Sequence, residues 1–327
     1  MNRAVKFGLG LLISLAGLFY AFGKVDFPVL WNKIQQVNFW YLFLVILLIV
    51  FSIAVRAKRW QMLLTPLEKI SFHPLFGATM IGYFGNGVLP FRLGEILRAY
   101  SLNKKTGLET SSVFGTIILE RILDLLGLVV FTLFIAVFYP FKAWGGNILP
   151  LIIFTGVGAF GFIFILERKS AWFFNYVSQW KTADNFRIKK ILILLEKIIR
   201  GLTSIRRSRQ LLEISVYTLF LWAIYFAMVY FTVQAVKIDL DWTGAGVVLI
   251  STTLAISVPA APGFVGTYHA AAIYVLTSLF NIQLGDAQAF AIILHAVGFL
   301  PLLIIGFVYF LLSGIHLSDS AGKEIIS

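Results

Sequence analysis

Apolar runs of 18 or more residues recur along this chain, each long enough to cross a bilayer as an α-helix. They constrain the fold more tightly than any other feature. Hydrocarbon offers the backbone no water, so only helices or closed barrels satisfy its N–H and C=O groups there. The runs therefore predict an all-α, polytopic membrane helix bundle. Six full crossings are expected, at about 4–23, 38–55, 113–138, 148–166, 213–236 and 287–312. The first follows Arg3 and Lys6, but a soluble mature chain does not follow it, so it reads as a retained helix rather than a signal peptide. Composition agrees. Of 327 residues, 59% are hydrophobic and 13% charged, against about 45–50% and about 25% in soluble domains. No stretch of domain size, roughly 50 residues, lies outside the runs, so 1–327 is expected to be a single integral membrane domain without an attached catalytic domain.

Two further apolar segments, 72–91 and 244–281, are interrupted. One contains Gly85-Asn86-Gly87-Val88-Leu89-Pro90, the other Pro259-Ala260-Ala261-Pro262-Gly263. Proline removes a donor and clashes with the preceding turn, so both segments are expected to be broken or re-entrant. With that threading, the side holding the N-terminus, 56–71, 92–110, 167–212 and the C-terminus collects 22 Lys and Arg, and the other side four. By the positive-inside rule both termini and the 167–212 loop are cytoplasmic, in a multi-pass protein of the cell (plasma) membrane. Within that loop, Ile188, Ile191, Leu192, Leu195, Ile198, Ile199, Leu202 and Ile205 recur at helical spacing. Lys189, Lys190, Lys197, Arg200, Arg206 and Arg207 occupy much of the remaining surface. Such an interfacial amphipathic helix attracts anionic lipids at the cytoplasmic face; a solvated linker helix is the alternative.

Three charges, Glu120, Arg121 and Asp124, sit inside the 113–138 run. Each costs about 2.5–3.5 kcal/mol near the bilayer centre unless compensated. Arg121 can pair with Asp124 at i, i+3, which leaves one acid needing a cation, a proton or a watery cavity. A second group, Asn86, Gly87, Pro90, Arg92, Gly94, Glu95 and Arg98, follows the first break, where freed N–H groups and arginines suit an anionic group such as a lipid phosphate. Arg56, Lys58, Arg59 and Trp60 close the second crossing, either as interfacial anchors or, for Arg56 and Arg59, as a phosphate-facing pair. His269, after the second break, and His295, in the last crossing, are candidate proton carriers.

Other chemistry is excluded or finds no motif. The chain has no cysteine, which removes disulfides and thiolate chemistry. HExxH, Walker and GxSxG patterns are absent, and four scattered histidines make a metal site improbable. Gly156, Gly158 and Gly161 spell GxGxxG but lie mid-run with no preceding strand, which points to close helix packing instead. No cofactor, metal or nucleic-acid partner is expected, and no enzymatic activity.

Taken in order, Arg56, Arg59, Trp60, then Asn86, Pro90, Arg92, Gly94, Glu95, Arg98, then Glu120, Arg121 and Asp124 resemble the membrane-domain family of lysylphosphatidylglycerol synthetase/flippase proteins. The run Pro259, Pro262, Gly263, Gly266 is similar to that family's second signature, and the resemblance covers essentially the whole chain. It implies movement of modified lipids between leaflets, here in a stand-alone form. One position departs: the family often carries Glu shortly after the Pro-Gly run, where this chain has Tyr268 and His269.

The expected function is thus a flippase-like lipid translocase moving an anionic or modified phospholipid, or a polyprenyl-linked lipid. Arg56, Arg59, Arg92 and Arg98 would hold phosphate, and Glu120 and Asp124 would meet headgroup parts or a coupling proton. The remaining expected lining is Asn86, Pro90, Glu95, Arg121, Pro259, Pro262, Gly263, Gly266 and His269. Two rivals stand: a membrane-embedded lipid-carrier transferase with Glu95, Glu120 or Asp124 as general base, and an accessory subunit of a lipid-modifying complex. Beyond the lipid itself, a second copy or a lipid-synthesis enzyme is a candidate partner. The two breaks are expected to face each other with the intramembrane charges between them.

Overall fold

A computed structural model describes residues 3–89, 92–139, 186–202, 210–257 and 261–315, with isolated helical positions between 150 and 176. The described residues form helices α1 (Arg3–Phe22), α2 (Phe27–Gln35), α3 (Phe39–Leu64), α4 (Phe72–Val88), α5 (Gly94–Thr106), α6 (Thr110–Phe138), α7 (Phe186–Leu202), α8 (Leu211–Val236), α9 (Trp242–Ser257), α10 (Thr267–Ser278) and α11 (Leu284–Leu312), with a 3₁₀ turn at Pro262–Phe264. No strand occurs among them. This is a helical membrane bundle.

Helices α3, α6, α8 and α11 are long and apolar enough to cross a membrane and correspond to four of the six expected crossings. The expected 4–23 crossing is the 20-residue α1, and 148–166 lies mostly outside the described residues. Helix α3 shows why these segments need lipid. Phe43, Leu47 and Phe51 form an exposed apolar stripe, while Val45, Ile49, Ile53, Arg56 and Trp60 are buried. An apolar outer face and a partly polar inner one suit hydrocarbon and not water.

Both interrupted segments are helical hairpins. In the first, Gly82 lies against Arg98 and Gly85 against Gly94 and Leu97, so α4 and α5 run antiparallel from a shared base. In the second, Gly244 at the start of α9 lies 3.1 Å, from its ideal Cβ position, from the ring of Phe280 just past α10. The two bases sit at opposite ends of the bundle. At one end, His73 and Phe76 of α4 meet Tyr309 near the end of α11. At the other, Trp242 of α9 meets Phe138 at the end of α6, the Asn38 N–H ahead of α3 donates to Ala235 of α8, and Lys33 pairs with Asp286 of α11 at 2.7 Å.

Two expectations change in detail. The second crossing does not end at the cations after residue 55: α3 continues to Leu64 because Arg56 and Arg59 find carboxylates inside the bundle and need not reach the interface. Helix α7, expected to lie in the interface, packs on the bundle. Its Gly201 lies against the Ser112 carbonyl and Gly115 against the Ile198 carbonyl, and Lys197 pairs with Glu109 at 3.0 Å, which dock it on the start of α6. Close glycine packing in the GxGxxG stretch is met at Gly156, which lies against Val129, and not at Gly158 or Gly161.

Candidate functional site

Helical spacing sets the inner faces. Arg56 and Arg59 lie one turn apart on α3, Glu95 and Arg98 one turn apart on α5, and Glu120 and Asp124 at i, i+4 on α6. On α8, Thr218 and Tyr225 lie two turns apart. The bundle brings these four faces together.

Arg98 grips Glu120 with two parallel bonds, Nη1 to Oε1 at 3.1 Å and Nη2 to Oε2 at 3.0 Å. Arg56 Nη1 donates to Glu120 Oε1 and, at 3.0 Å, to Asp124 Oδ2, while its Nη2 donates to the Tyr225 hydroxyl at 2.8 Å. Arg59 donates to Asp124 Oδ1 at 2.6 Å and to Thr218 Oγ1 at 3.1 Å. Arg121 extends the network outward to Glu95 at 2.7 Å and Asp124 at 3.4 Å, and Asn86 on α4 reaches Glu95 at 3.4 Å. Trp60 stacks its ring 3.8 Å from the Arg98 guanidinium carbon and donates its indole N–H to Thr116. Glu120 and Arg59 are fully buried, whereas the side chains of Arg121 and Asp124 are 34% and 20% accessible, so the network opens at the Arg121 edge.

These pairings bear on one expectation drawn from the sequence. Arg56, Arg59 and Arg98 do not stand free to hold phosphate, because the acids on α6 already engage them. Glu120, the acid that Arg121 would leave without a local partner, accepts hydrogen bonds from both Arg56 and Arg98.

Arg92 behaves differently. It sits between the hairpin arms with a left-handed backbone, φ +55°, a conformation that costs a non-glycine residue about 1–2 kcal/mol. Its Nη2 donates at 2.5 Å to the Ile256 carbonyl in the last turn of α9, and its guanidinium lies 5.4 Å from the centre of the Phe264 ring. The tips of the two hairpins therefore meet. Gly87 and Gly263 confirm the approach: their ideal Cβ positions lie 3.0 and 2.9 Å from the same atom, Phe299 Cζ.

Pro262, Gly263, Gly266 and His269 form the second tip, apart from the ion-pair network. Gly263 and Gly266 have φ of +68° and +97°, a backbone that glycine adopts freely. Gly266 presses on the Ser14 carbonyl of α1 where no side chain fits, and the Ala261 N–H donates to Ser14 Oγ at 2.8 Å. Pro90 and Pro259 lie outside the described residues. Thr218, Tyr225, Ile256 and Ser14 escaped sequence reasoning, since single Thr, Ser and Tyr residues are frequent in these runs and a carbonyl carries no sequence signal.

The fold and this buried charge network define an integral membrane protein built on two helical hairpins that meet at their tips. The chain belongs to the family described as the lysylphosphatidylglycerol synthase TM region, which matches residues 8–306. A curated relative, a UPF0104 membrane protein of Methanocaldococcus jannaschii, is 25% identical over 238 residues, covering 69% of this chain and 93% of that protein. No solved structure matches the chain. It is thus a helical membrane protein of a family named for lipid metabolism.

Proposed function

We propose that the chain is a flippase-like translocase that passes an anionic or modified phospholipid, or a polyprenyl-linked lipid, between leaflets, its headgroup at the hairpin tips and its acyl chains in the bilayer. One observation carries this reading: among the described residues four guanidiniums, those of Arg56, Arg59, Arg98 and Arg121, share three carboxylates, Glu95, Glu120 and Asp124, and a fifth, Arg92, is held only by a backbone carbonyl and a ring. Among the described residues two positive charges remain uncompensated inside an apolar bundle, at about 2.5–3.5 kcal/mol each. A lipid phosphate offsets that cost. The Nε–H groups of Arg56, Arg59, Arg98 and Arg121 and the Asn86 Oδ1 are also buried without a hydrogen-bond partner among the described residues, a condition native interiors rarely tolerate. Arg92 and Arg121, at the accessible edge, are the residues proposed to meet the phosphate. Arg56, Arg59 and Arg98 position the acids behind them.

The transferase reading is weaker, because each candidate base is already tied to arginine, Glu120 and Asp124 to at least two guanidiniums and Glu95 to Arg121, whereas a general base must be placed to take a substrate proton. We accordingly propose no enzymatic role. An accessory subunit predicts instead that replacing Arg92 leaves lipid distribution unchanged. The test follows a fluorescent anionic phospholipid in vesicles reconstituted with wild type or Arg92→Gln, using leaflet-selective quenching. Movement that depends on Arg92 supports a translocase; no movement by the well-inserted wild type under any gradient overturns it.

A further inference from the structure

The second hairpin tip is held by two histidines that the charge network does not use. His295 on α11 places Nε2 2.8 Å from the Gly263 carbonyl. The carbonyl can only accept, so Nε2 carries the hydrogen and Nδ1 is the bare nitrogen of that neutral ring. His269 on α10 offers Nδ1 to the Gly266 N–H at 3.4 Å, so its hydrogen is on Nε2. The two rings lie 4.7 Å apart, centre to centre. Between the pinned ends run Gly263, Phe264, Val265 and Gly266, three of them at positive φ. For Phe264, at +57°, that conformation is strained and persists only while the surroundings hold it.

The surroundings are aromatic. Phe22 of α1 meets His269 edge-on at 5.4 Å, and Phe299 of α11 stacks on His295 at 5.2 Å. The titratable and charged groups facing the pair, among the described residues, are the two imidazoles themselves, the Tyr268 ring 5.2 Å from His295 and, beyond Phe264, the Arg92 guanidinium. Among the described residues, helices α1 and α9 contribute no charged group there, and no carboxylate stands beside either ring.

We propose that His269 and His295 form a proton-binding site that releases the second hairpin tip. The pair accepts one proton, since two imidazolium rings at this separation repel strongly, and release requires that it reside on His269 and not on the bare Nδ1 of His295. On His269 the proton must enter at Nδ1, the atom now accepting from Gly266. A donor then faces a donor, the Gly266 bond breaks, and the strained 263–266 turn loses one of its two pins. Proton binding in this way frees Phe264 from Arg92 and unlatches the tips. That this drives lipid passage rests on the translocase reading; the proton site itself does not.

The absence of native cysteine permits a direct test. Val265→Cys is introduced into the full-length protein in nanodiscs, and its alkylation is measured from pH 8 to pH 5, normalised to Asn281→Cys to remove intrinsic thiol ionisation. The normalised rate is expected to rise several-fold on acidification. His269→Gln, whose amide oxygen still accepts from Gly266 but does not titrate, should flatten that rise and leave the pH 8 rate unchanged. ¹⁵N-histidine spectra of the same preparation report protonation directly, and should show one proton taken up by the pair. A pH-independent rate in a protein whose spectra show no proton uptake by either ring overturns the proposal. Pair protonation with an unchanged rate overturns the release step. Neither result depends on lipid movement, so failure here is distinguishable from failure of the translocase reading.

Discussion

At the scale of single residues, Glu120 illustrates how position decides role. It is fully buried and bonded to Arg56 and Arg98. The sequence makes an acid in hydrocarbon look functional, because retaining it there is costly. The structure shows a more local reason: Glu120 is the acceptor around which α3, α5 and α6 assemble. Removing one partner of a buried charge network costs about 3–5 kcal/mol. Glu120→Gln is therefore expected to destabilise the fold by about that amount in mixed-micelle unfolding, while Arg121→Gln, a third exposed, should cost about 1 kcal/mol or less. Equal losses would mean that the network is not organised about Glu120. Arg92 is the converse case. Its contacts are one carbonyl and one ring, so Arg92→Gln should cost no more than the one charged hydrogen bond it removes, about 1.5–3 kcal/mol, and less than Glu120→Gln. A hydrogen bond to a charged group is worth about 1.5–3 kcal/mol, so headgroup affinity should fall roughly ten- to a hundredfold, read as a raised lipid concentration for half-maximal movement. The carboxylates and arginines were all legible in the sequence, since charges in apolar runs stand out. Their pairing was not. Arg56 and Glu120 are 64 positions apart, and no local spacing rule connects them.

Among elements, the hairpins were the most legible feature, because Pro and Gly interrupt hydrophobic runs that would otherwise be continuous. What the runs do not carry is how closely the arms approach. At Gly94 a Cβ would collide with the Gly82 carbonyl and with Asn86, so α4 and α5 touch backbone to backbone at the tip. Backbone cannot yield as a flexible side chain can. Gly94→Ala is thus expected to splay the first hairpin and lower the thermal midpoint in detergent sharply. Gly298→Ala on α11 meets nothing within 4 Å and should be neutral or stabilising by up to about 1 kcal/mol, the helix-propensity difference. The pair of variants separates packing from propensity: if both behave alike, close contact between the arms is wrong. The extent of α3 was misjudged for a related reason. Arg56 and Arg59 look like interfacial anchors until their partners on other helices are known, and only tertiary structure supplies those.

For the whole molecule, the argument turns on two hairpins that enter from opposite ends and meet at their tips. The cation count agrees with that threading even after correction. Arg56, Arg59, Arg92 and Arg98 belong to the interior and not to the loops, and removing them leaves 18 cations against four. Lys58, Lys69, Lys104 and Lys105 belong to the end that carries the base of the first hairpin, and Lys33 and Lys237 to the end that carries the second. The positive-inside rule then predicts that the first base faces the cytoplasm. In intact cells a membrane-impermeant maleimide is expected to label Asp239→Cys and Asn281→Cys, and to label Lys69→Cys and Lys105→Cys only after permeabilisation. Labelling of all four from outside, or the reverse pattern, would contradict the orientation. The meeting of the tips is tested separately. The Cβ positions of Gly87 and Gly263 each lie within 3.0 Å of Phe299 Cζ, so they are separated by no more than twice that distance. Cysteines at both sites, in a Phe299→Ala background that makes room for them, should join through a short bifunctional reagent. The same pair is distant in any arrangement that puts the breaks on opposite faces of the bundle. Cross-linking that also arrests lipid movement would tie the meeting point to the path of the headgroup. Cross-linking that leaves movement intact would place the path elsewhere, and with it the two uncompensated charges that motivate the translocase reading.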